Sequence, residues 1–490
     1  MFFLKKVFNI AVAFFYFLLI SCKLGPDFHA PQPSSPDHYT EQSLAKNIKL
    51  PGENKDAQTL IVGQAIQQEW WRMFEMPEMN QLVQTGLANS PTLIAAQAAL
   101  KQAQVIYQGQ AGSLLLPNVT GQMGYSRNKS SLVSNGFDNA PPQIYNLANA
   151  GVNVSYAFDF FGANRRQLES LAAQIDYQRY ELAASQISLS TNIVTTIISI
   201  SSLQEQILAT QNLISAQKAQ LRIAEQQLKL GAISQVAYLT QEGELAQSQA
   251  TLPGLREQLA QQKDALAVLV GVFPASQTFP FFNWKMLHLP EKLPLSLPST
   301  LVQQRPDVQA SLALLHVASA NIGVATANLF PQISLSANYG WQAGNFSSLF
   351  QPLTNVWGLG SSLTQPLFKG SLLISQRKAA IAAYEQANAQ YQQVVLQAFQ
   401  QVADSLHALE QDAASLEAQK LACQTAEKNL RIAQQQIKLG GVSQLYFLTA
   451  QRQYQQAKIA LIQAQTARLT DSAALIHALG GGWHLIHSRN

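Results

Sequence analysis

Three observations predict a mainly α-helical chain that also carries a small set of membrane-type β-strands, built by internal duplication. The run Arg222-Ile-Ala-Glu-Gln-Gln-Leu-Lys-Leu-Gly231-Ala-Ile-Ser-Gln235 returns as Arg431-Ile-Ala-Gln-Gln-Gln-Ile-Lys-Leu-Gly440-Gly-Val-Ser-Gln444, a recurrence that marks a repeated architecture. Each half holds one very long stretch of helical patterning, Gly162 to Lys229 and Gly370 to Lys438. Each half also holds two segments that alternate apolar and polar residues, each about 10 residues long, the length of a tilted membrane strand.

Composition fits this reading. Only 12% of the 490 residues are charged, against about 25% in ordinary soluble domains. Gln, Ala, Ser and Asn fill the difference, which suits long helices packed closely with a neutral polar face toward water. The formal net charge of +4 leaves no basic footprint for nucleic acid. The two cysteines, Cys22 and Cys423, stand far apart, so no disulfide framework is expected.

In chain order, Lys5 and Lys6 precede an apolar run from Val7 to Ile20 broken only by Asn9. It is shorter than the ~20 residues a spanning helix needs, so it reads as a signal peptide. The run ends Leu19-Ile20-Ser21-Cys22, which resembles a bacterial lipobox and implies that Cys22 is acylated; several acyl chains anchor stably. Lys23 rather than Asp follows, so the resemblance implies sorting to the outer membrane. Gly25 to Pro31 and the Pro/Ser-rich stretch to Asp37 read as an extended tether. After Trp70-Trp71 and Phe74, Pro77 is placed to open a helix that is expected to continue through Asn89-Ser-Pro91 to about Leu115.

The strands are expected at Asn118 to Arg127, Gly151 to Phe161, Ile333 to Trp341 and Val356 to Pro366. In each, one parity is apolar and aromatic (Val152, Val154, Tyr156, Phe158) and the other small and polar (Asn153, Ser155, Ala157). Period alone does not distinguish a soluble sandwich from an outer-membrane barrel; the lipobox favours the barrel. In the long helical stretches, Leu189, Ile193, Thr196, Ile200, Leu203, Ile207, Thr210 and Ile214 step by 4 and 3, as do Val395, Phe399, Val402, Leu406, Leu409, Ala413 and Leu416. These are heptad seams. Each stretch ends in a basic residue (Lys229, Lys438), a glycine suited to a left-handed cap and a serine that can cap a new helix, so each is a helical hairpin tip. Partner helices follow from Ser234 to Leu269 and from Ser443 to Leu479.

Four strands per chain are too few to close a barrel, which needs about eight, and open edges cannot stand in lipid. Two chains would give a filled eight-stranded barrel. Three would give twelve strands and a water-filled lumen, which the small polar residues of the second face favour.

The lipobox, Gly25-Pro-Asp-Phe28, Trp70-Trp71 with Phe74, Pro77 and Asn80, Arg305-Pro-Asp-Val308, Asn321-Ile-Gly323, Leu329-Phe-Pro331 and Leu479-Gly-Gly-Gly-Trp483 together resemble the TolC-like outer-membrane efflux family, in its lipoprotein (NodT-type) branch. Ala310-Ser311 departs from the usual Ala-Glu. The resemblance implies a homotrimer with a 12-stranded β-barrel, a long periplasmic α-helical barrel and an equatorial collar. It also implies a periplasmic adaptor, an inner-membrane transporter and outer-membrane lipid as partners, with no cofactor beyond the lipid on Cys22. The expected organisation is 1–21 signal peptide, 22–70 lipidated tether and collar segment, 71–272 first repeat, 273–300 linker and collar, 301–480 second repeat and 481–490 C-terminal tail.

On this reading the adaptor meets the tips Gly231, Ala232, Ser234 and Gly440, Gly441, Ser443, where glycine also simply ends a helix. The resemblance further implies an aperture narrowed by polar or acidic rings; Glu427, Gln424, Cys423 and Lys428 are the candidates, with Arg431 and Lys218 as charge partners. Each is equally readable as a solvated helix face. No P-loop, His-Glu-x-x-His or supported Ser-His-Asp pattern occurs, so no catalytic or metal site is expected; His477, His484 and His487 read as an ordinary C-terminal tail rather than metal ligands. Rival readings are a type I protein-secretion duct, a trimeric surface coiled-coil adhesin and a lipid-anchored enzyme. The adhesin would gather its strands in one C-terminal block, and the enzyme lacks site residues.

Overall fold

The computed structural model describes residues 23–31, 38–40, 47–50, 58–130, 142–276 and 279–483. The signal segment, Cys22, the loop with Asn135-Gly136 and the tail with His484 and His487 lie outside them. Elements follow in the order β1 (Asn47–Leu50), β2 (Gln58–Val62), α1 (Pro77–Asn89), α2 (Pro91–Leu115), β3 (Asn118–Ser130), β4 (Gln143–Phe158), α3 (Ala163–Lys229) and α4 (Gln235–Leu269). The second half continues with β5 (Lys292–Leu295), α5 (Pro298–Gln304), α6 (Pro306–Ala327), β6 (Gln332–Ala343), β7 (Asn355–Thr364), α7 (Leu372–Lys438) and α8 (Gln444–Ala478). The duplication is exact in helix length: α3 and α7 each have 67 residues and α4 and α8 each have 35.

The chain forms two compact units, and each takes residues from both repeats. The first unit comprises Met1–Gln32, Ala99–Gln178 and Ser311–Tyr391. Its centre is a four-stranded antiparallel sheet in the order β3-β4-β6-β7, which leaves β3 and β7 as edges. The register aligns the parities. Met123, Ala150 and Trp341 lie across one face, and Thr120, Asn153, Asn338 and Gly358 across the other. The apolar face is uncovered, with Leu359 78% exposed. β4 begins at Gln143, well before the expected Gly151, because pairing with β3 continues through Asn146 to Ala150, where alternation in sequence is weak.

The second unit comprises Pro33–Ala98, Arg179–Ala310 and Gln392–Asn490. Here the heptad seams are core: Ile193, Ile200, Ile207 and Ile214 of α3 and Val402, Leu406, Leu409 and Leu416 of α7 are buried. Helix α8 bonds to α3 through Thr466 Oγ1, which donates to Ser202 Oγ at 2.7 Å. Trp70, Trp71 and Phe74 form an edge-to-face cluster that is buried beside α1.

One expectation is corrected. The helix opened by Pro77 does not run on to Leu115: it breaks at Ser90, which is extended (φ −63, ψ 124). Proline at 91 clashes with helical geometry in the residue before it and starts a new helix. The segment between the repeats, expected as linker and collar, contributes a strand. Its β5 lies parallel to β2 in a three-stranded sheet β1-β2-β5, with Pro294 on the edge strand, where a missing N–H costs no ladder bond.

Candidate functional site

The uncovered sheet is the first functional surface. Rings gather at both of its ends. Toward the loops, Tyr125 stacks on Phe346 (centroids 5.4 Å apart) and Trp341 meets Phe350 edge to face (5.2 Å). Toward the helices, Tyr156 meets Phe158, and Phe161 stacks on Phe330 at 5.0 Å. Tyr125 pairs with Ala148, so the two rings on this face are separated along β4 by the stretch from Ala148 to Phe158. That is about 34 Å of strand, or about 26 Å of height at a tilt of about 40°, the height of the apolar band of a membrane barrel between aromatic girdles. A sandwich core would bury this face; here it is exposed and girdled. The opposite face offers Thr120, Gln122, Asn153, Ser334 and Asn338, neutral hydrogen-bonding groups suited to water.

The hairpin tips are built identically. Gly231 (φ +70) and Gly440 (φ +74) occupy the left-handed region. Gly231 N donates to Leu228 O and Ala232 N to Gln227 O at 2.8 Å; Gly440 N donates to Ile437 O and Gly441 N to Gln436 O at 2.8 Å. This paired pattern satisfies the last carbonyls of each long helix. Ser234 Oγ and Ser443 Oγ then accept from Ala237 N and Tyr446 N, both at 3.2 Å, capping the return helices. The caps leave apolar side chains facing outward: Leu230 and Leu439 are 83% and 87% exposed, and Val236 and Leu445 are exposed beside them. Behind the second tip, Ala433, Phe447 and Ala450 pack with Leu430 and Ile437, so a firm core supports an exposed end.

The four aperture candidates fall on two faces of α7. Cys423 and Glu427 are half-buried, and both act electrostatically on Tyr454 of α8. Burial first, then the charge of Glu427, push the Cys423 thiol up, while Lys458 opposes this. Gln424 and Lys428 are exposed. Glu427 Oε1 accepts from Arg431 Nη2 at 3.0 Å, an i,i+4 pair, so its charge is countered within its own helix. Toward the other hairpin, Arg452 of α8 pairs with Glu244 of α4 at 3.1 Å.

Sequence reasoning missed how the tether is held. Arg166, fully buried, donates to Leu24 O (3.0 Å), Gly25 O (3.0 Å), Asp27 Oδ1 (2.9 Å) and Glu169 Oε2 (2.9 Å). Lys23 Nζ pairs with Glu169 at 2.7 Å, His316 Nε2 lies 3.0 Å from Glu169 Oε1, and Phe28 stacks on the His316 ring at 4.3 Å. Burial opposes the Glu169 charge, yet the bonds from Lys23, His316 and Arg166 outweigh it and hold the carboxyl down at about 2. Gly25 (φ +92) lies on the backbone of Gly323, where a Cβ would collide. The signal was an arginine at a strand-to-helix junction in a chain poor in charge, with Gly-Pro-Asp downstream of the lipobox.

Arg305-Pro-Asp and the glycine run have structural work. The buried Arg305 holds Asp307 through two bonds (3.0 and 2.6 Å), reaches Ala478 O at the end of α8 (2.8 Å) and Gln401 of α7 (2.8 Å). Gly480, Gly481 and Gly482 all have positive φ and press on Gln304, Ile187 and Gln67.

Against known proteins, the family described as "Outer membrane efflux protein" matches residues 82–272 and 297–481. The chain is 30% identical to the pyoverdine export outer membrane protein OpmQ of Pseudomonas aeruginosa over 85% of this chain and 87% of that one. It is 29% identical to the antibiotic efflux pump outer membrane protein ArpC of Pseudomonas putida, over 98% and 96%. Among solved structures, the outer-membrane channel OprN superposes with a TM-score of 0.85 at 25% identity, covering 94% of this chain and all of that one.

Proposed function

The chain belongs to the outer membrane efflux protein family, and from that premise we propose that three copies form the exit duct of a tripartite efflux pump, gated at its hairpin tips. One observation carries the reading: a four-stranded sheet with two open edges, girdled on an uncovered apolar face and polar on the other. Edge β3 of one copy and β7 of the next run antiparallel, so three copies close twelve strands with no free backbone in lipid and a lumen wide enough for water.

Acylated Cys22 supplies the lipid anchor, and the Arg166 clamp holds the chain next to it. The tips around Gly231 and Gly440 meet a periplasmic adaptor, which covers Leu230, Val236, Leu439 and Leu445. Cargo selection belongs to the inner-membrane transporter, because the sheet's polar face is neutral and unselective. Opening is a change in helix crossing biased by adaptor contacts that differ between two states. Glu427 and Arg431 are the polar pair we place at the constriction.

The test is conductance of the purified lipoprotein in planar bilayers, with Glu427→Ala beside it. The expected result is rare opening of the wild type and more frequent or wider opening of the variant. Unchanged gating would remove Glu427 from the gate. No conductance from a folded trimer would overturn the duct itself.

A further inference from the structure

The four strands β3, β4, β6 and β7 hold only two charged residues, Arg127 and Lys129. Both are cations, both are exposed, and both lie near the loop end of the edge strand β3. Their parity is that of Val119, Met123 and Tyr125, the apolar face, while Ser126 and Asn128 between them take the polar one. Arg127 stands opposite Asn146 and Lys129 opposite Ile144, and no acidic side chain among the described residues pairs with either.

Their depth is informative. Tyr125, stacked on Phe346, marks the aromatic girdle, and Arg127 and Lys129 follow it by two and four residues, about 7 and 14 Å along the strand. A cation on the lipid face is costly at the bilayer midplane but nearly free near an interface, so these two occupy the level where headgroups begin. Cations meant to steer cargo would sit on the polar face, which carries none within the strands.

We propose that Arg127 and Lys129 form a binding surface for phosphorylated lipid headgroups at the loop end of the sheet. This rests on the reading above that the sheet spans the outer membrane with its loops outward. Arginine supplies a planar fork and lysine a point charge, both matched to phosphate oxygens, and each cation near an anionic lipid surface strengthens attachment severalfold.

The experiment uses the full-length lipoprotein in phosphatidylcholine nanodiscs titrated with diphosphoryl lipid A, with bound lipid counted by native mass spectrometry. For R127Q/K129Q the expected result is about thirtyfold weaker retention, about 2 kcal/mol at 1.4 kcal/mol per tenfold. Dephosphorylated lipid A should bind the wild type as weakly as the diphosphoryl form binds the variant. Should the double variant fail to assemble, R127Q and K129Q singly are each expected to lose about fivefold. Retention within threefold of wild type, or indifference to the phosphates, overturns the proposal. Planar-bilayer conductance of the same samples separates the two readings. A conducting variant that keeps its lipid A defeats only the headgroup surface, whereas a wild type that does not conduct defeats the membrane channel.

Discussion

Replacing Arg166 with alanine tests the clamp most directly. The substitution removes a fully buried guanidinium and its bonds to Leu24 O, Gly25 O, Asp27 and Glu169. Asp27 is largely exposed, so that contact adds little. Leu24 and Gly25 lose the donor to their part-buried carbonyls, about 1 kcal/mol each. Glu169 keeps Lys23 and His316 but loses its one fully buried cation, and breaking a buried pair costs about 3 kcal/mol. The docked segment should therefore lose about 3–5 kcal/mol of local stability, while the sheet, with its own ladder, is untouched. Hydrogen exchange reads this through the Leu24 amide, which donates to Phe161 O at 3.3 Å. Its exchange should quicken at least a hundredfold, and that of the β4–β6 ladder should not change. Arg166→Lys should fall between, because lysine restores charge without the fork. Exchange at Leu24 within threefold of wild type in the alanine variant would refute the clamp; a lysine variant equal to wild type would refute the geometric argument.

Acid should loosen the same segment. Glu169 is depressed to about 2 in the folded chain from an ordinary 4.5, so its contribution is complete above about pH 4.5 and declines as pH falls toward 2; exchange corrected for intrinsic rates should be flat from pH 7 to 5 and rise below. Asp412 behaves oppositely: burial, then its bond with Asp471 and that neighbour's charge, push it up to about 7 against the pull of Arg468. The native chain therefore holds a proton that the unfolded chain releases between about pH 4 and 7, and this group's support falls as pH rises through that window. Asp412→Asn should raise Tm more at pH 8 than at pH 5; equal shifts at both would count against the proton. Gly481→Ala drives a Cβ into Ile187 at φ +58 and should cost about 2–3 kcal/mol, seen as a lower Tm of the assembled channel. Leu230→Asp with Leu439→Asp should keep bilayer conductance and abolish efflux in cells, measured by drug susceptibility; full efflux would remove the tips from the adaptor contact.

The duplication, the two helical hairpins and the strand parity were legible in the sequence because each rests on local rules. A 3.5-residue seam, a glycine at a left-handed cap, a serine at an N-cap and a period of two are written in neighbouring residues, and the helices from Ala163 and Leu372 end where Lys229 and Lys438 say they do. The break at Ser90 was legible too, since Pro91 forbids the preceding residue a helical turn; the expected continuity gave too much weight to apolar spacing. What chain-distant contacts decide could not be read this way. Whether the apolar face of the sheet is covered depends on every other element, and only tertiary structure shows it bare between two girdles. The parallel pairing of Lys292–Leu295 with Gln58–Val62 joins segments with weak strand patterns that are stable only beside each other. Arg166 closes on Gly25, and Arg305 on Ala478, across separations of 141 and 173 residues. The same distance explains the aperture candidates: a helix register lists which residues approach an end, but only packing against α8 turns Cys423 and Glu427 toward Tyr454 and leaves Gln424 and Lys428 to solvent. The repeated elements, their caps and their two-faced strands follow from neighbours along the chain and are therefore readable from it; which faces are buried, which charges are clamped and which segments complete a sheet depend on folding, because those energies arise between residues that the chain keeps far apart.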